Sequence, residues 1–200
     1  MHERHINVED AVLVEKWRHG DPMAIERLIG KYQGRIYNVI LRICTNPDEA
    51  AELTNDTFVK ILENIDRFES RSAFYTWAFR IAVNLTLNYC KRKTTAGFIS
   101  LDASAGEDDE QGSRTLAAVL LDNKTPSPAE LAEDRELGEL VKKALGKLNE
   151  EYRTIIILRD IEGMDYAQIA DILAVELGTV KSRLSRARSA LRQILEAFLQ

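Results

Sequence analysis

Between Thr179 and Leu195 the chain carries Lys181, Arg183, Arg186, Arg188 and Arg192, and no acidic side chain. At a helical period Ser182, Ser185, Arg186 and Ser189 share one face, and the other cations flank it. Small hydroxyl residues permit close approach to a backbone. Arg and Lys reach phosphates and guanine edges, so this face has the chemistry to enter a DNA major groove. Opposite it, Val180, Leu184, Ala187, Leu191 and Ile194 recur at i, i+4, i+7, i+11 and i+14 and form an inward stripe. A merely solvated helix would more often pair Glu with Lys on its outer face than place serines there.

A second constellation lies on the pattern running from Phe74 to about Lys93. Most of that stretch is apolar, with Phe74, Ala78, Ile81 and Leu85 on one side and Phe79, Val83 and Leu87 on another. One narrow stripe differs: Trp77, Arg80, Asn84, Asn88 and Lys91 follow at i+3 or i+4, with Arg92 and Lys93 closing the end. Cations follow a nucleic-acid backbone, an aromatic stacks a base, and amides pair with exposed base edges, which is the equipment for unpaired nucleic acid. Phe68 ends one helix just before the polar loop Glu69-Ser70-Arg71-Ser72, where its ring is poorly placed to be pure core. A structural reading stays open for the same residues. Trp77 and Phe68 are then core, the amides are satisfied internally, and the last cations complement a helix C-terminus.

The elements that position these residues are helical. Asp165 and Gln168 have the spacing of a capping box, and Ile169, Ile172 and Leu173 form the apolar face of the helix that follows. Val175-Glu176-Leu177 breaks the pattern and a second helix begins near Glu176, giving a helix-turn-helix. Upstream, Gly20-Asp21-Pro22 and Asn46-Pro47 each supply a stop followed by a cap and a first-turn proline. The intervening helix sends Ile25, Leu28, Ile29, Tyr32, Ile36, Val39, Ile40 and Ile43 inward, and the next sends Ala50, Leu53, Phe58, Ile61, Leu62 and Ile65. From Glu130 the pattern resumes with Leu137, Leu140, Val141, Ala144, Leu145 and Leu148. Asn149 then caps a helix containing Tyr152, Ile155, Ile156, Leu158 and Ile161, and Gly163 stands at its stop. The expected architecture is all-α: a first helical domain over residues 1–93, a flexible acidic linker over 94–129, and a helix-turn-helix domain over 130–200.

The 200 residues are 45% hydrophobic and 30% charged, with a net charge of −5, so the acid is concentrated away from the basic helix. The run Glu107-Asp108-Asp109-Glu110 and the segment Thr125-Pro126-Ser127-Pro128 read as linker, with an apolar island between Leu116 and Leu121. Cys44 and Cys90 stand singly in apolar helical patterns and read as buried free thiols of a reducing compartment. Neither they nor His2, His5 and His19 have metal-ligand spacing, and no cofactor or catalytic residue is expected. The polar, acidic start and the lack of a long apolar run predict a soluble, cytoplasmic protein without membrane insertion.

Five segments together resemble the extracytoplasmic-function (group IV) sigma factors of bacterial RNA polymerase, the sigma-E-like members in particular. They are AIERLIGKYQGRIYNVILRI, DEAAELTNDTFVKILENIDRF, SAFYTWAFRIAVNLTLNYCKRK, LNEEYRTIIILRDIEGMDYAQIADIL and GTVKSRLSRAR, in that order over nearly the whole chain. The resemblance implies that the first domain is sigma region 2, which binds and melts the −10 promoter element. The second is then sigma region 4, which reads the −35 element. It implies a pocket for a flipped base formed by Lys60, Asn64, Phe68 and Asn84. Trp77 and Arg80 stand at the fork between duplex and single strand, and Asn88 and Lys91 continue the stripe. Glu52, Asn55 and Asp56 would dock on the clamp coiled coil of the polymerase's largest subunit. Thr179, Lys181, Ser182, Arg183, Ser185 and Arg186 would face the −35 duplex. The implied partners are core RNA polymerase, promoter DNA both duplex and single-stranded, and an anti-sigma factor, in a role such as stress response. The alternative is a stand-alone homodimeric helix-turn-helix regulator, which explains the C-terminal helices but neither Trp77 and Asn84 nor the acidic balance.

Overall fold

A computed structural model of the chain describes residues 8–68, 73–96 and 128–199, and every regular element among them is helical. The chain divides into two compact units at about residue 92, with the short stretch Asp171–Ala174 grouped with the first. The polar loop 69–72, the acidic run 107–110, the apolar island 116–121 and His2 and His5 lie outside the described residues, as does most of the expected linker.

The first unit contains α1 (Val8–Arg18), α2 (Pro22–Cys44), α3 (Pro47–Asn64), a 3-10 turn (Ile65–Arg67) and α4 (Phe74–Ala96). Its starts and stops are local. Asp21 caps α2 by accepting from the Met23 N–H at 3.0 Å, with Pro22 at the first helical position. Thr45 ends the helix in the left-handed region (φ 62°), its N–H bonded to the Leu41 carbonyl at 2.8 Å. Asn46 then accepts from the N–H groups of Asp48 and Glu49 at 3.0 and 3.1 Å, capping α3, whose first turn carries both acids near its positive end.

The inward stripe of α2 is buried at Ile25, Leu28, Tyr32, Ile36, Val39, Ile40 and Ile43, each such aliphatic residue contributing about 1.5–3 kcal/mol. Ile29 and Phe58, expected inside, are half-buried, and Leu62 is exposed, because the edge of each stripe rolls past the narrow contact between neighbouring helices. Thr54, Thr57 and Thr86 are buried instead, each hydroxyl donating to the carbonyl four residues earlier. Helix α1 is fastened to α2 by Asp10, a buried carboxylate that accepts from Lys31 Nζ at 2.7 Å and from the Tyr32 hydroxyl. Burial and that hydrogen bond push the Tyr32 phenol well above its ordinary pKa. Cys90 is buried as expected, whereas Cys44 is half-buried, since it lies in the last turn of α2; both are free thiols.

The second unit contains α5 (Pro128–Lys147), α6 (Glu150–Ile156) with a π-helical turn (Ile157–Ile161), α7 (Tyr166–Leu173) and α8 (Leu177–Leu199). Helices α4 and α5 therefore each reach a few residues into the span read as linker. Val141, Ala144, Leu145 and Leu148 form the buried stripe of α5. Asn149 caps α6 by accepting from the Tyr152 N–H at 2.8 Å. Arg153, a buried cation, turns back onto the open end of α5 and donates to the carbonyls of Leu145, Gly146 and Leu148 at 2.8, 2.9 and 2.6 Å. Helix α6 and its continuation are buried on all sides through Ile155, Ile156, Ile157 and Leu158, and α8 packs across α5 and α6. The π turn departs from the uninterrupted helix expected there. It closes with Glu162 N–H on the Ile157 carbonyl at 2.9 Å, and Gly163 (φ 70°) then redirects the chain toward α7.

Candidate nucleic-acid interface

In the first unit an open cleft of about 360 Å³ lies between the end of α3 and the middle of α4, lined by Lys60, Asn64, Arg67, Trp77, Ile81, Asn84 and Leu85. Lys60, Asn64, Trp77 and Asn84 of the expected site thus come together. Asn84 is exposed on the cleft wall, while the Asn64 amide donates to the Lys60 carbonyl at 2.8 Å. The Lys60 ammonium is paired with Glu63 at 2.6 Å, and this carboxylate raises its pKa through the hydrogen bond and its charge. Arg80, Asn88 and Lys91 are exposed along the same stripe of α4 but do not line the cleft.

Phe68 does not present its ring. It is 4% exposed, with its centroid 5.1 Å from Trp77 and 5.8 Å, edge-on, from Phe74. The expectation of an open aromatic face at this position is corrected: the 3-10 turn after α3 folds the chain back, so Phe68 becomes the floor on which Trp77 rests. Trp77, half-buried, is the aromatic that faces the cleft. Arg67 was not among the expected site residues. Carrying the helical spacing of Lys60 and Asn64 through the 3-10 turn reaches it at i+7, and that signal would have found it.

Glu52, Asn55 and Asp56 are all exposed on α3, opposite the buried Leu53, Thr54, Thr57 and Ile61, so they form one polar face.

In the second unit the capping box forms in both directions. Asp165 Oδ1 accepts from the Gln168 N–H at 2.8 Å, and Gln168 Oε1 accepts from the Asp165 N–H at 3.0 Å. Ala174 makes the turn in the left-handed region (φ 53°), and α8 begins at Leu177 with Val180, Leu184, Ala187 and Leu191 buried. Of the expected face, Lys181, Ser182 and Arg186 are exposed, and Thr179, Arg183 and Ser185 are half-buried. Ser182 Oγ donates to the Thr179 carbonyl at 3.2 Å, and Arg183 approaches Glu151 at 3.6 Å. Arg188, read as a flanking cation, is instead internal. Its Nη2 and Nε donate to the buried Asp160 carboxylate at 2.6 and 3.2 Å, because the π turn brings Asp160 opposite α8. Arg159 secures the segment before α7, donating to the Met164 carbonyl at 2.7 Å with its guanidinium 4.8 Å from the Tyr166 ring centroid.

Among the described residues no helix is long and apolar enough to cross a membrane, and no cluster of His, Cys, Asp and Glu has the arrangement to hold a metal ion.

Known proteins share this arrangement. Residues 28–95 match the family model described as Sigma-70 region 2, and residues 138–191 the one described as Sigma-70, region 4. The chain is 33% identical over 196 residues to the RNA polymerase sigma-H factor of Pseudomonas aeruginosa, covering 96% of each. It is 30% identical over 182 residues to the ECF RNA polymerase sigma factor SigW of Bacillus subtilis, covering 91% of this chain and 94% of that one. Among solved structures it is similar to the sigma factor RpoE of Bartonella quintana in complex with the anti-sigma factor NepR. That match has a TM-score of 0.60 and 25% identity over 86% of this chain and 96% of the other.

Proposed function

The chain belongs to the extracytoplasmic-function (ECF) sigma factors of bacterial RNA polymerase, and from that premise we propose how its two units divide the work of initiation. As an alternative sigma factor it brings core polymerase to promoter DNA. The first unit, within residues 1–93, binds the polymerase clamp through Glu52, Asn55 and Asp56 and opens the −10 element. The second, within 130–200, reads the −35 element through α8, and residues 94–129 tether the two. The polymerase supplies the chemistry of RNA synthesis, and the chain acts in the cytoplasm beside it. An anti-sigma factor restrains it, as NepR accompanies the Bartonella protein in its solved complex.

The observation that carries the melting role is the cleft between α3 and α4. Unstacking a base costs a few kcal/mol and requires a site that receives the extruded base. An aromatic side chain (Trp77), a free-standing amide (Asn84) and cations at the rim suit that task. Trp77 takes the stacking role, and Phe68 supports it from below. On α8, Lys181 and Arg183 are suited to phosphates, Arg186 to a guanine edge, and Ser182 and Ser185 to close approach with Thr179 at the helix start.

The test is permanganate reactivity of −10 thymines in complexes of core polymerase with the wild-type chain or with Asn84→Ala. Asn84→Ala is expected to lose the signal on a duplex promoter while polymerase capture and −35 binding persist. A wild-type signal from Asn84→Ala would overturn the assignment. Failure of the chain to bind core polymerase would favour a stand-alone regulator.

A further inference from the structure

The cleft contains a cation to which none of the readings above gives a role of its own. Two cations line it, and Lys60 is already held by Glu63 at 2.6 Å. Arg67 is exposed at the rim and makes no ion pair among the described residues. A guanidinium offers planar, paired N–H donors that match phosphate oxygens, and it is less strongly hydrated than an ammonium.

Arg67 sits on a turn that is fixed from outside. Arg18, at the end of α1, sends Nη2 to the carbonyls of Ile65 and Asp66, both at 3.3 Å, and to that of Phe68, while its Nη1 meets Glu15 at 2.5 Å. Carbonyls at the end of a helix carry its negative pole, and one guanidinium serves several at once here, although that of Ile65 also accepts from the Phe68 N–H at 3.1 Å. Arg18 reaches the residues on either side of Arg67 from some fifty positions away in sequence. The same contact holds Phe68 under Trp77. The N-terminal helix therefore sets the geometry of the cleft rim without lining the cleft.

We propose that Arg67 binds the backbone phosphate of the nucleotide whose base enters the cleft, and that Arg18 is the positioning residue that holds Arg67 there. The inference rests on the reading of the cleft as a base site. A nucleotide turned into the cleft leaves its phosphates at the rim, where Arg67 stands, while Trp77 and Asn84 act on the base within. The contact is blind to base identity, so it adds affinity at a position where Asn84 adds selectivity.

The experiment uses holoenzyme assembled from core polymerase and the full chain. The probe is a short single-stranded oligonucleotide selected from a randomised pool by wild-type holoenzyme, with binding read by fluorescence anisotropy. Arg67→Ala is expected to weaken binding several-fold whatever base occupies the extruded position. It should make the slope of log K against log salt shallower by about 0.7, the value of one phosphate contact on single-stranded DNA. Neutral methylphosphonate linkages are then placed one at a time. At the contacted phosphate the wild type is expected to lose affinity several-fold and Arg67→Ala to lose none. Additive losses at every linkage would overturn the proposal.

Arg18→Ala is expected to reproduce that insensitivity with Arg67 still present. If circular dichroism shows it unfolded, Arg18→Lys takes its place, since an ammonium cannot span the same carbonyls and should give a partial effect. Wild-type sensitivity in a folded Arg18 variant would overturn the positioning role. Asn84→Ala separates the two levels. If it leaves base preference unchanged, the base-site reading fails and this proposal with it. If it abolishes preference while Arg67→Ala is silent, only this proposal fails.

Discussion

Removing Arg188 challenges the recognition helix from within. The Asp160 side chain is 1% exposed and that of Arg188 17%, and two hydrogen bonds of 2.6 and 3.2 Å join them. Arg188→Ala strands a buried carboxylate without its counter-charge, which costs about 3–5 kcal/mol. A domain of this size has only about 5–15 kcal/mol of stability in total. Each kcal/mol shifts Tm by about 4–8 °C in domains of 60–100 residues, so the second unit should melt at least about 12 °C lower. Optical probes can isolate that unit, because Trp17 and Trp77 both lie in the first. Tryptophan fluorescence therefore follows the first unit, and helical circular dichroism follows both. The expected result is a lowered dichroic transition with an unmoved fluorescence transition. Replacing the pair together, as Asp160→Leu with Arg188→Met, should restore most of the loss, since an apolar substitute leaves no charge to desolvate. A loss below about 1 kcal/mol for Arg188→Ala would refute the reasoning, because it would mean water reaches Asp160.

Three further outcomes follow from the same geometry. Arg186→Ala should weaken −35 binding by about 1–3 kcal/mol and relax discrimination at one base pair, whereas Lys181→Ala should act evenly across sequences; binding titrations against a set of −35 variants distinguish them. Ala174→Gly should raise the Tm of the second unit by a few degrees. A left-handed L-residue costs about 1–2 kcal/mol and the extra backbone freedom of glycine offsets only about 0.5–1 of it, as calorimetry would show. Phe68→Ala should cost the first unit about 3–5 kcal/mol, seen as a lowered tryptophan-fluorescence transition.

Features set by residues close in sequence were legible before any coordinates. The caps at Asp21, Asn46 and Asn149 and the Asp165–Gln168 box each need only a side chain and a backbone N–H two or three positions away. The α8 stripe was equally plain, because one periodicity runs unbroken from Val180 to Leu191. What escaped depends on distant groups. Asp160 reads as an ordinary exposed acid until the π turn aims it at Arg188, and both then leave solvent. Phe68 at a helix end looks available until the 3-10 turn seats it between Phe74 and Trp77. Arg153 and Arg18 look like surface cations, yet each closes the open end of another element. In each case the partner lies beyond the reach of local pattern.

These corrections change what the chain can do alone on duplex DNA. With Arg188 engaged internally, the cations left on and beside the expected DNA face of α8 are Lys181, Arg183, Arg186 and Arg192, and Arg183 lies 3.6 Å from Glu151. Four phosphate contacts at most imply a slope of log K against log salt no steeper than about −3.6, where each contact on duplex DNA contributes about −0.9. The net charge of −5 adds a general repulsion. Tight promoter binding then requires a second anchor. Core polymerase provides one by holding the first unit, so that α8 meets the −35 element at high effective concentration rather than by diffusion. Fluorescence anisotropy on a duplex promoter should give weak, shallowly salt-dependent binding for the chain alone, and strong binding once core polymerase is added. Tight, sequence-specific binding by the chain alone, with a slope steeper than about −5, would show that far more cations reach the DNA than this face supplies. The division of labour proposed for the two units would then have to be abandoned.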